Sequence, residues 1–233
     1  MLLGVWHVRQ RPALTSNARG LLIVCGVEIA LFGIIFTLGW LASRASREQL
    51  LLKWRPGWWV IPLGIGYSVA MRFAVGMIFA AIVLFLLATG LLPREHLQQF
   101  MAASRPAAER IVDVHAMRHS PAYFWLTVTL SSFVVAGLRE EMWRAGTLAG
   151  MRALWPGAFA DRNGQIAAMA VIAMVFGLAH LGLGLLPAAL ASLLGLFLGI
   201  IMVVHESIWP AVIAHGVFDA TTFALLPSVL KHV

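Results

Sequence analysis

Apolar runs long enough to cross a lipid bilayer recur along this chain, and they decide what it can fold into. A hydrocarbon core is spanned by roughly 20 predominantly apolar residues in a helix. Inside it, backbone N–H and C=O groups must be bonded within the protein, so runs of this length fold as helices. Such runs lie at Leu21 to Ala42, within Gly57 to Leu92, and at about Ala122 to Leu138, Ile166 to Leu181, Leu185 to Val204 and Ile208 to Leu226. The expected fold is all-α, a polytopic transmembrane helix bundle of six to seven spans. Composition agrees: 61% of the 233 residues are apolar and 12% charged, against about 25% charged in a soluble domain.

The segments between the runs divide the chain. Residues 1–20 form an N-terminal basic segment, 21–227 a single helical membrane domain, and 228–233 a C-terminal tail. The stretch Gly57 to Leu92 is too long for one straight crossing at about 1.5 Å per residue. Pro62, Gly64 and Gly66 are therefore expected to divide it into an interfacial piece at Trp58 and Trp59 and a span from about Tyr67 to Leu92. Residues 93–120 mix Arg94, Glu95, Arg105, Glu109, Arg110, Asp113 and Arg118 with Phe100, Ile111 and Val114, as an extramembrane connector with an amphipathic helix would. Met142 to Trp155 reads as a helical extension of the third span that ends before Pro156 and Gly157.

The formal net charge is +7, which raises nucleic acid as a partner. The basic residues, however, stand in short segments beside apolar runs, where anionic lipid headgroups attract them. The lipid bilayer is the expected partner, and no nucleic acid. Only Lys53 and Lys231 are lysine, a bias towards arginine that points to a GC-rich bacterial genome and hence a bacterial plasma membrane. Cys25 is the single cysteine, so no intrachain disulfide and no cysteine-based zinc site can form. Leu21 to Ala42 follows Arg9, Arg11 and Arg19 in the manner of a signal peptide, with small residues Ser43 and Ala45 where cleavage would fall, but it exceeds the usual apolar length of one. Positive charge flanks the first span on both sides, so basic-loop counting leaves orientation open.

An ionised side chain at mid-bilayer costs at least about 2.5 to 3.5 kcal/mol, so each one asks for a partner or a task. Glu28 and Arg72 lie in the first two spans, where a pairing across them is one reading and their role stays open. Glu140, Glu141 and Arg144 end the third, His180 the fourth, and His215 and Asp219 occupy the last. Glu140 and Arg144 are four apart with the acid first, the favourable order for an ion pair, and Glu141 points about 100° away. Two acids thereby acquire two environments, unless the group merely caps a helix end. His180 follows Phe176 by one turn and Gly177 permits close helix approach, an arrangement that also suits a packing histidine. His215 and Asp219 share one face of the last span, and two desolvated polar groups there are harder to explain as packing. Acid, base and hydrogen-bond donors converging from three helices would form a polar pocket in a low-dielectric bundle, a setting for proton transfer.

Glu140-Glu141-Met142-Trp143-Arg144, Phe176 to His180 and His215-Gly216-Val217-Phe218-Asp219 resemble, in order and placement, the three motifs of the CPBP family. These are CAAX-processing and bacteriocin-processing intramembrane endopeptidases, also called type II CAAX proteases or Abi proteins. The resemblance covers roughly residues 122–227. It implies that Glu140 and His180 bind and activate water with Glu140 as general base, that His215 and Asp219 position the carbonyl and stabilise the oxyanion, and that Glu141 and Arg144 orient the first acid, with Phe176 supporting. The family's last motif usually ends in asparagine; an aspartate at 219 donates a hydrogen bond only when protonated. The resemblance also implies a peptide or membrane-anchored protein as substrate, and no cofactor.

Two other readings use the same residues. Zinc held by His180, His215 and Glu140 or Asp219 would leave a fourth position for water, although the chain lacks a His-Glu-x-x-His helix. A membrane transporter or an immunity scaffold would also carry intramembrane acids and histidines, but no inverted repeat or paired broken helices support transport.

Overall fold

The computed structural model describes residues 15–104 and 108–230, and every regular element among them is helical. Arg9, Arg11, Arg105 and Lys231, named above, lie outside the described residues. Six helices are long and apolar enough to cross a membrane. They are α1 (Ala18–Ser43), α2 (Val60–Ala88), α3 (Pro121–Leu154), α4 (Arg162–Ala179), α5 (Leu185–His205) and α6 (Trp209–Val229). Short helices at Leu97–Ser104 and Val114–His119 lie between α2 and α3, and one at Pro156–Phe159 precedes α4.

Local chemistry sets the helix starts. Asn17 and Asp161 cap α1 and α4 by accepting from the N–H of Gly20 and Gly164, each at 2.8 Å. Ser120 does the same for α3 through Tyr123 at 3.2 Å, with Pro121 at the first position, where its missing N–H is not needed. The expected break in the second span does not occur. Pro62 sits in the first turn of α2, where proline is tolerated, and Gly64 faces α6 so closely that a Cβ there would meet Ile213 at 2.5 Å. Only Gly57–Trp59 remains as a separate short turn, and α2 runs 29 residues. At 1.5 Å per residue that exceeds the hydrocarbon thickness, which tilt accommodates.

The third span differs in another way. It continues unbroken to Leu154, and Thr127–Leu138 within it is π-helical, with Ser132 Oγ donating to the carbonyl of Thr127 at 2.9 Å. Such winding is rare and concentrates at functional sites. Here it ends directly before Arg139, Glu140 and Glu141.

Small residues bring the site helices together. A Cβ on Gly177 of α4 would stand 2.7 Å from the carbonyl oxygen of Ala188 on α5, and one on Gly199 of α5 would stand 2.9 Å from Met169 on α4. Between α3 and α6, Gly137 lies against the carbonyl of Val212 and Gly216 against the ring of Phe133. Without a hydrophobic drive between helices in lipid, this close backbone approach supplies the packing. α2 packs along α6, and α1 along α3.

Candidate active site

The close α3–α6 contact places the two central motifs side by side. Glu141 and Arg144 are fully buried and paired with each other three residues apart. Glu141 Oε1 also accepts from His215 Nδ1 at 2.9 Å. Since a carboxylate only accepts, Nδ1 carries the proton, and Nε2 is the other ring atom. It stands 3.9 Å from Glu140 Oε2 and 3.6 Å from Asp219 Oδ2. The guanidinium of Arg144 lies over the ring of Phe176 at 4.3 Å, which ties α3 to α4.

His180 closes α4. Its Nδ1 donates to the carbonyl of Phe176 at 2.8 Å, so in the neutral ring Nε2 is an acceptor, with no hydrogen bond among the described residues. Phe176 and His180 are in ring contact at 4.4 Å. Glu140, His180, His215 and Asp219 all line one cavity of about 250 Å³, whose remaining wall is largely apolar. Glu140 Oε2 is buried and has no hydrogen-bond partner among the described residues. A second, larger groove of about 710 Å³ between α1, α3 and α4 shares Glu140, Phe176 and His180 with that cavity, and Leu31, Phe32, Ile35 and Val175 line it.

Two pairings differ from those the sequence suggested. Arg144 binds Glu141, three residues away, rather than Glu140, four away. Glu141 faces into the bundle towards His215, where its charge needs a buried cation, whereas Glu140 turns to the cavity. The Glu141–Arg144 pair therefore bonds to His215 and not to Glu140. Glu28 and Arg72 do not pair. Glu28 accepts from Arg139 Nη1 at 2.6 Å, and Arg139 Nη2 lies 3.5 Å from Glu140 Oε1. Arg72 reaches α6 instead, donating to the carbonyl of Phe218 and the hydroxyls of Thr221 and Thr222, and stacking on the Phe218 ring at 4.2 Å. α1 and α2 have different neighbours, so their charges do too.

Arg139 was not among the residues singled out from sequence. The signal was present: a cation directly before Glu140, inside a span, also requires a partner. Among the described residues, no three His, Cys, Asp or Glu side chains form a group that could hold a metal ion. The set His180, His215 and Glu140 does not form one.

Residues 121–221 match the family model described as type II CAAX prenyl endopeptidase Rce1-like. Over those residues the chain is similar to the CAAX-protease family. The six apolar helices and this match support an integral membrane protein, and the family matched is one of endopeptidases. No curated protein and no solved structure matches the chain.

Proposed function

We propose that the chain is an intramembrane endopeptidase in which Glu140 and His180 activate water for attack on a peptide bond. The observation that carries this reading is the single cavity shared by Glu140, His180, His215 and Asp219, with one oxygen of Glu140 buried and without a hydrogen-bond partner among the described residues. A water there donates one hydrogen to Glu140 and the other to Nε2 of His180. Both bonds polarise the water towards hydroxide, and a base within hydrogen-bond reach supplies about 10²- to 10⁴-fold in rate.

The water oxygen bonds to the scissile carbonyl carbon as its proton passes to Glu140. The oxyanion that forms is met by His215 Nε2, which donates when protonated, and by Asp219 in its protonated form. The C–N bond then breaks, and the proton held by Glu140 passes to the departing amine. The Glu141–Arg144 pair keeps the His215 ring in place throughout, so little reorganisation is needed as charge develops. The apolar groove between α1 and α4 suits the apolar part of a peptide or membrane-anchored protein whose cleavable bond reaches Glu140.

Cleavage is followed in proteoliposomes with a quenched fluorescent peptide ending in a prenylated CAAX sequence, alongside a comparison of peptides accumulating in wild-type and Glu140→Gln membranes. The expected result is loss of at least about 100-fold in Glu140→Gln, in line with removal of a general base. Undiminished cleavage by Glu140→Gln overturns the mechanism. Stoichiometric zinc in the purified protein, with activity lost on stripping it, replaces the metal-free mechanism by a zinc one.

A further inference from the structure

Glu28 lies in the interior of α1, outside the matched residues, and no motif accounts for it. It shares one guanidinium with the proposed base: Arg139 Nη1 is 2.6 Å from Glu28 Oε2, while Nη2 of the same group is 3.5 Å from Glu140 Oε1. Two carboxylates on different helices therefore compete for one cation, and Glu28 holds the shorter bond. Glu28 and Arg139 both line the groove whose inner wall is Glu140, Phe176 and His180.

We propose that Glu28 is a positioning residue for Glu140, holding Arg139 on the α1 side of the groove so that Glu140 keeps an oxygen free for the water. The inference rests on the reading of Glu140 as the base. Its physical basis is the geometry of the guanidinium, which prefers to grip a carboxylate with two parallel N–H bonds. An arginine freed of Glu28 inside a span takes the nearest acid, because an uncompensated charge there is costly. That acid is Glu140, and a two-pronged grip occupies both its oxygens. The other charged or titratable neighbours do not offer Arg139 a second carboxylate: Glu141 is engaged by Arg144 and His215, His215 and Asp219 face the cavity from α6 with His180 from α4, and Cys25 on α1, which feels the charges of both Glu28 and Arg139, is a thiol bonded to Ser131.

The test measures proteoliposome cleavage of the prenylated CAAX peptide by the wild type, Glu28→Gln, Arg139→Gln, the double variant and Glu28→Asp, with Glu140→Gln as control. Maleimide labelling of Cys25, the only cysteine and buried on α1, reports whether α1 stays docked. Glu28→Gln is expected to lower kcat at least about tenfold with KM within about twofold, because the released guanidinium occupies the base without touching the groove's apolar wall. The double variant is expected within about twofold of Arg139→Gln, since the harm done by losing Glu28 acts only through Arg139. Glu28→Asp, which keeps the carboxylate, should exceed Glu28→Gln, and Cys25 should stay as protected as in the wild type. Wild-type kcat in Glu28→Gln overturns the proposal, as does an equal loss with and without Arg139, or exposure of Cys25 in step with the loss of activity. If Glu140→Gln is dead while Glu28→Gln is fully active, this proposal alone fails. If Glu140→Gln cleaves normally, the reading of the site fails first.

Discussion

The four helices α3 to α6 and the two N-terminal helices α1 and α2 handle intramembrane charge in opposite ways. In the motif-bearing half, Glu141 and Arg144 are fully buried, paired on one helix and bonded onward to His215. In the N-terminal half, Glu28 and Arg72 are partly exposed, and each reaches across to a motif helix rather than to a neighbour on its own. Both contacts fall beside a site residue: Arg139 precedes Glu140, and Phe218 precedes Asp219. In the proposed reading the buried pair builds the site, and the N-terminal cross-links adjust it from outside. Removing one partner of a buried pair should threaten the fold, whereas removing a cross-link should leave the fold and change the rate.

The largest effect is expected from Arg144→Met. It leaves Glu141 buried and without its cation, which costs about 3 to 5 kcal/mol when one partner of a buried pair is removed. Thermal unfolding in detergent, read by loss of helical circular dichroism, should show a markedly lowered midpoint. A midpoint at the wild-type value would break the contrast between the two halves, since the buried pair would then carry no more than the exposed ones.

Gly177→Ala is expected to do less. The new methyl meets the backbone carbonyl of Ala188 on α5, so α4 must back away, at about 1 to 3 kcal/mol for an overpacked contact. Because His180 sits at the end of α4, cleavage should fall further than stability alone explains. Equal loss in folded fraction and in rate would show that α4 carries His180 loosely.

The spans were legible because a run such as Leu185 to Val204 has one physical solution in a bilayer, and its helix extends only to His205. The gathering of Glu140, His180, His215 and Asp219 at one cavity was also anticipated, from spacings that place each group on one helix face. Partner choice was not legible. Arg144 can reach Glu140 or Glu141 along the same helix, and the contest is decided by His215, 74 residues away, which draws Glu141 inward. Glu28 and Arg72 looked like partners because they stand on consecutive spans, but chain order does not fix which helices touch. The π-helical winding of Thr127–Leu138 has no local signature either, since residues such as Val134 and Val135 suit an α-helix equally well in sequence.

The smallest effect separates the two cross-links from each other. Among the described residues Arg72 makes no close ion pair, although the charge of Asp219 acts on it; its bonds go to the carbonyl of Phe218 and to hydroxyls of Thr221 and Thr222, with its face on the Phe218 ring. Those groups flank Asp219 on both sides, so Arg72 steadies the turn of α6 that presents it. Arg72→Met keeps much of the apolar stem while removing the donors, and α6 remains packed on α2 through Gly64 and Ile213. A loss of about 1 kcal/mol in stability is expected, at the low end for hydrogen bonds from a charged group because the site is partly exposed. Cleavage should fall about tenfold, which corresponds to about 1.4 kcal/mol in the barrier. Arg72→Lys keeps the charge but loses the fork and much of the ring stacking. If the lysine variant cleaves like the wild type, charge near Asp219 is what matters and the donor geometry is dispensable. If it falls with the methionine variant, Arg72 works through the shape of α6, unlike Glu28, whose expected effect passes through a charge.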